Sequence, residues 1–177
     1  MTMPARPAPT GREVEIRPAV VEPDVAAVRL LFREYAAGLG IDLGFEGFEA
    51  EVRSLPGLYA APGGILLLAQ QGREPVGCAG VRPFGPGECE LKRLYLRPGV
   101  RGHGLGRALV RRALDFGETA GYQAMRLDTL PSMTEALRLY PSMGFVEVPE
   151  YWPNPVPGTR YFQRELEART PPRGTSK

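Results

Sequence analysis

Polar and apolar positions along the chain change period several times, and each change marks a structural element. Residues 13–19, EVEIRPA, alternate as a strand does; residues 22–40, EPDVAAVRLLFREYAAGLG, then set Val25, Val28, Phe32, Tyr35 and Leu39 at helical spacing. Asp24 is the expected N-cap of that helix and Gly40 its stop. After the loop IDLGF, residues 46–55 gather Phe48, Val52 and Leu55 on one face of a short amphipathic helix. Residues 64–84, GILLLAQQGREPVGCAGVRPF, read as two strands joined around Gly72, and ECELKRLYLRP, from Glu88, reads as a third, which predicts an antiparallel meander.

A glycine-rich loop follows, and beyond it Leu105, Leu109, Ala113 and Phe116 define a helix of about four turns that ends near Gly121. QAMRLDT is reached across that helix, so this strand is expected to lie parallel to an earlier one. SMTEALRLYPSMGF predicts another helix, with Ser132 as N-cap, Pro141 in its last turn and Gly144 closing it. FVEV and RYFQREL, on either side of the loop PEYWPNPVPGT, complete the sheet. There are no internal repeats, heptads or linkers. The reading is therefore one α/β (α+β) domain over 13–167, with a mixed, mostly antiparallel central sheet and helices on both faces. Proline-rich 1–12 and polar 168–177 are expected to be flexible flanks.

Composition narrows the functional classes. With 177 residues, 43% of them hydrophobic, the chain can bury a substantial core. A formal charge of +2 without a basic stripe gives no reason to expect a nucleic-acid partner. No apolar run is long enough to span a membrane, and MTMPARPAPTG lacks the apolar core of a signal peptide, so a cytoplasmic location is expected. Cys78 and Cys89 fall inside strands without metal spacing, and the single histidine, His103, cannot build a zinc cluster, so no metal is expected.

The chemistry concentrates in LKRLYLRPGVRGHGLGRALVRRALDFG, residues 91–117, where Gly102, Gly104 and Gly106 precede a helix start. Glycines let another group approach the backbone, and open helix N–H groups favour an anion. One reading is a tight structural connection and no more. A second is a dinucleotide fingerprint, with Asp128 about 22 residues after Gly106 as the ribose ligand. That reading fails because RPGV separates the strand from the glycines, and because Arg107 and Leu109 stand where the third glycine belongs. The third reading is Arg-x-x-Gly-x-Gly, from Arg101, Gly104 and Gly106. Here the sequence resembles the GCN5-related N-acetyltransferases, and ALRLYPSMGF resembles that family's later Tyr-x-x-x-Gly-Phe segment.

That resemblance implies a GNAT-like fold over nearly the whole chain and acetyl-CoA as co-substrate, its pyrophosphate on the loop Arg101, Gly102, His103, Gly104, Leu105, Gly106 and Arg107. It implies that Leu94, Tyr95 and Leu96 run beside the pantetheine arm, with the Leu94 N–H on the thioester carbonyl. Glu90, eleven positions before Arg101, corresponds to a general base acting directly or through water, and Tyr140 to the acid that protonates the departing thiolate. His103 is given no chemistry. Many members carry an asparagine where this chain has Met133, which leaves Ser132 or a backbone group to make that cofactor contact.

Simple alternation in the strand entering the loop sets Glu90, Lys92 and Leu94 on one side and Leu91, Arg93 and Tyr95 on the other. The acceptor side is expected between GLGIDLGFEGFE and VPEYWPNPVPGT, where Phe45, Phe48, Tyr151 and Trp152 stand beside Asp42, Glu46, Glu49 and Glu150 and suit a small primary amine or an amino-acid-like acceptor. Related proteins often pair, so the resemblance allows a homodimer. The alternative to an amine N-acetyltransferase is a catalytically silent CoA-binding sensor.

Overall fold

The computed structural model describes residues 13–167, so both expected flanks lie outside the described residues. Strands β1 (Val14–Pro18), β2 (Ile65–Gln71), β3 (Glu74–Gly85), β4 (Glu88–Leu96), β5 (Ala124–Thr129), β6 (Val146–Val148) and β7 (Arg160–Glu165) form one sheet in the order β1-β2-β3-β4-β5-β7-β6. Every neighbouring pair is antiparallel except β4 and β5. Helices α1 (Glu22–Leu39) and α2 (Phe48–Ser54) precede β2, α3 (Leu105–Thr119) crosses over between β4 and β5, and α4 (Thr134–Ser142) follows β5.

The uninterrupted apolar run of β2 reflects burial on both faces of the sheet. Leu66 and Leu68 join Val28, Leu31, Phe32 and Val52 under α1 and α2, whereas Leu67 and Ala69 join Leu109, Val110, Ala113 and Leu114 under α3. Gly80 is obligatory in this packing, since a Cβ there would meet the Tyr59 ring at 2.5 Å.

Two caps differ from expectation. Helix α1 starts at Val21 without a side-chain cap, because Pro23 already supplies first-turn geometry. Asp24 is buried in a two-pronged ion pair with Arg17 of β1 and does not cap. Helix α4 starts from Met133, not Ser132, again without a side-chain cap.

The feature that positions the site is a bulge in β4. Gly80 pairs with Lys92 but Cys78 pairs with Tyr95, so β4 carries one extra residue there. That residue is Arg93, at φ 58°, the one described non-glycine with positive φ. Its strain is offset by ion pairs of 2.7 Å to Glu46 and 2.6 Å to Glu51. The bulge overturns the expected alternation: Leu91, Leu94 and Leu96 all pack on the α3 face, while Tyr95 packs toward α1.

Candidate active site

Strands β4 and β5 pair only through Glu88–Ala124, Cys89–Met125 and Glu90–Arg126, then separate, while β5 stays paired to β7 as far as Thr129. Two parallel strands that diverge leave a wedge between them. It is lined by Leu91, Lys92, Arg93 and Leu94 on one side and by Asp128, Thr129 and Leu130 on the other, with Tyr140 and Met133 of the α4 region alongside. Tyr35, Phe45 and Glu46 close it from the α1–α2 side.

The glycine loop joins the end of β4 to α3. Gly104 is the left-handed N-cap of α3 at φ 76°, and Gly102 has φ 82°; ideal Cβ positions on both meet nothing within 4 Å. The loop is therefore open on the side a phosphate would take. The first α-helical bond of α3 runs from the Ala108 N–H to the Gly104 carbonyl, so the N–H groups of Leu105, Gly106 and Arg107 face out of the helix start. Arg101 donates from Nε to the Leu96 carbonyl at 2.9 Å and lies over the Tyr95 ring, which ties the loop to the end of β4. Arg107 donates to Ser142 Oγ at 2.7 Å, and His103 is exposed. These groups fit a diphosphate ligand: backbone donors, a helix dipole and no bulk above the glycines.

Tyr140 sits where the wedge meets α4. It is 4% exposed, its ring packs edge-on against Phe145, and burial pushes its phenol well above the usual range, so the proton is retained. Among the described residues its hydroxyl makes no hydrogen bond to protein, and it is not one of the fully buried atoms left without a partner, which fits a hydroxyl bordering the wedge. It is a proton donor with its donor unused.

Glu90 is 1% exposed, and both of its oxygens are engaged. Arg82 donates to Oε2 from Nε at 3.1 Å and from Nη2 at 2.9 Å, and the Tyr151 hydroxyl donates to Oε1 at 3.2 Å. Glu90 is not among the residues lining the wedge. The carboxylates that do line it are Glu46 and Asp128, with the Lys92 ammonium between them at 3.4 and 3.3 Å. Burial alone lowers the affinity of Lys92 for its proton, but Glu90, Asp128 and Glu46 outweigh it and raise the pKa, so Lys92 is a cation. Burial likewise pushes Asp128 up, and Lys92 with donors from Asn154 and Trp152 more than reverses it, leaving a carboxylate held below the usual range.

The expected acceptor residues separate. Phe45 and Trp152 stack at 6.1 Å with 20° between planes. Tyr151 packs on Phe84 and Tyr161 and serves Glu90. Phe48 is a core residue under α2, 6% exposed, with the Arg93 guanidinium 5.2 Å above its ring. Glu46 was among the acidic residues expected on the acceptor side, whereas Lys92, Asp128 and Asn154 were not expected at the site. Asp128 had been weighed only as a ribose ligand.

A profile described as the Acetyltransferase (GNAT) family matches residues 27–145. The chain belongs to the GNAT acetyltransferase family. An N-acetyltransferase of Schizosaccharomyces pombe is 40% identical over 145 residues, covering 81% of this chain and 89% of that one. Among solved structures, a GNAT-family acetyltransferase of Staphylococcus aureus Mu50 superposes with a TM-score of 0.73 at 18% identity, over 87% of this chain and 99% of that one. PaiA N-acetyltransferase of Thermoplasma acidophilum, solved in complex with coenzyme A, superposes with a TM-score of 0.66 at 18% identity, over 87% and 99%. As a GNAT protein the chain is an acyltransferase of the N-acetyltransferase type, and the mixed sheet with helices on both faces is the fold of these neighbours. The GNAT match stops at Phe145, so the loop that carries Trp152 and Asn154 lies beyond it.

Proposed function

We propose that this protein transfers an acetyl group from acetyl-CoA to the amine of a small molecule, by direct attack with both substrates bound. The observation that carries the reading is the wedge left where β4 and β5 stop pairing, lined by Leu94 and Tyr140, in a chain whose glycine loop leaves the first N–H groups of α3 free of helical bonds. The loop 101–107 holds the diphosphate, and the separated edge of β4 is free to pair with an extended pantetheine arm. The Leu94 N–H polarises the thioester carbonyl, a donor worth on the order of 3 kcal/mol in the transition state. The amine nitrogen bonds to the carbonyl carbon, the C–S bond breaks, and Tyr140 gives its proton to the sulfur. The ammonium proton of the acceptor passes to Glu90 through water, since direct contact is blocked by Arg82 and Tyr151.

Acetyl-CoA is expected to raise the melting temperature, by about 2.7 kcal/mol of stabilisation at a concentration 100 times Kd. Release of free thiol is expected only when an amine is added. Stabilisation without amine-dependent thiol release from a broad amine panel would make the protein a CoA sensor instead; no stabilisation would remove the cofactor reading.

Replacing Glu90 by Gln keeps an acceptor for Arg82 but removes the charge. A fall in kcat/KM of about 100-fold is expected, with the Kd for CoA unchanged. An unchanged kcat/KM assigns Glu90 to structure alone.

A further inference from the structure

The wedge is backed by a network of buried charges that reaches beyond the residues lining it. Four carboxylates, of Glu46, Glu51, Glu90 and Asp128, interlock with three cations, Arg82, Lys92 and Arg93. All but Arg82 are nearly excluded from solvent: the side chain of Arg82 is 26% exposed and those of the others between 2% and 11%. The group carries one negative charge more than its partners cancel, in a place where an uncompensated charge is costly.

Two carboxylates of the network, Asp128 and Glu46, line the wedge with acceptor capacity to spare. Asp128 receives Lys92 on Oδ1 at 3.3 Å, and Trp152 Nε1 at 3.2 Å and Asn154 Nδ2 at 3.0 Å on Oδ2. A carboxylate has about four acceptor positions, so one remains. Glu46 Oε2 is buried and, although 2.7 Å from an Arg93 nitrogen, accepts no hydrogen bond. The aromatic wall has the matching preference: Lys92 Nζ lies 5.8 Å from the Trp152 ring centroid, and Phe45 is stacked on that ring. Lys92 is itself a primary alkylammonium, so the site already holds the chemical group in question.

We infer, resting on the acetyltransferase reading above, that the acceptor is an organic cation without a carboxylate, seated on Asp128 and Glu46 against the Phe45–Trp152 wall. An amine entering as its ammonium cancels the surplus. Passing its proton to a carboxylate of the same network leaves the total unchanged, so no charge builds up before attack. An amino acid brings a carboxylate into a network that already has one too many, and the two cations lining the wedge, Lys92 and Arg93, are each held by two acids.

The test is melting temperature in saturating CoA, a readout that needs no turnover, with matched pairs that differ by one carboxylate: cadaverine against lysine and tyramine against tyrosine. At least one amine is expected to add stabilisation beyond CoA, with at least a tenfold lower apparent Kd than its carboxylated counterpart. Asp128→Asn is expected to abolish that increment and keep the shift from CoA. Tighter binding of the amino acids, or no increment from any of the four, overturns the inference while a CoA shift still upholds the acetyltransferase reading. Absence of the CoA shift overturns both. If Asp128→Asn does not fold, the pairs on the unaltered protein decide.

Discussion

Glutamate at position 106 is expected to abolish CoA binding without harming the fold. Gly106 is the second residue of α3 and has no positive φ, and a Cβ there meets only Leu139 Cδ2 at 3.6 Å and Leu96 Cδ1 at 3.7 Å, ordinary contact distances. Removing a helical glycine contributes up to about 1 kcal/mol, and an acid in the first turn adds about 0.3–1 kcal/mol through the helix dipole. The free protein should therefore melt slightly higher. The same carboxylate stands among the N–H groups assigned to the diphosphate. A unit charge about 4 Å from another costs about 4 kcal/mol at an effective dielectric of 20, more than two decades in affinity. Calorimetric titration of Gly106→Glu with CoA should show binding weakened at least about 100-fold. Unchanged affinity would take the pyrophosphate off this loop. Gly104 is a poorer position for the experiment, because at φ 76° any side chain adds backbone strain that would blur the two effects.

The second large effect is expected from Tyr140→Phe. The ring contacts with Phe145 and Phe162 survive the change, and the hydroxyl that is lost has no protein partner, so stability should stay within about 0.5 kcal/mol. A general acid typically contributes 100- to 10,000-fold, so kcat should fall by about that range while the Kd for CoA does not move. Measured with a thiol-release assay beside a CoA titration, a fall in both quantities together would make Tyr140 a binding residue. A fall in neither would leave the thiolate to solvent protonation.

Much of the scaffold was legible because its signals are local. The helical spacing of Val25, Val28 and Phe32, the turn at Gly72 and the stop at Gly121 each depend on neighbours within a few residues, and the structure has elements at all of them. The expected parallel pairing after the crossover helix is the β4–β5 contact. The caps expected at Asp24 and Ser132 do not form. Capping competes with whatever else a side chain can reach, and Arg17, on another strand, outcompetes the helix terminus for Asp24. At α4 no side chain caps at all.

The site divides along the same line. The glycine loop and Tyr140 stand out in the sequence as candidates because the residues that mark each lie within one turn or one loop of the chain. Alternation failed in β4 because a bulge has no signature in Leu91–Leu94; Arg93 accepts positive φ only when Glu46 and Glu51, more than forty residues earlier, are folded against it. That one extra residue decides which side chains face the wedge. Sequence spacing likewise could not show that Glu90 would be enclosed by Arg82 and Tyr151, or that Glu46, Lys92 and Asp128 would meet.

By itself, then, the sequence determined the order of elements, the glycine loop before α3 and membership of the GNAT family, because those depend on backbone conformation and motifs over short stretches. Only the tertiary structure decided the width and charge of the wedge. Those depend on where two strands stop pairing, and on which buried acids and bases, distant along the chain, come close enough to compensate one another.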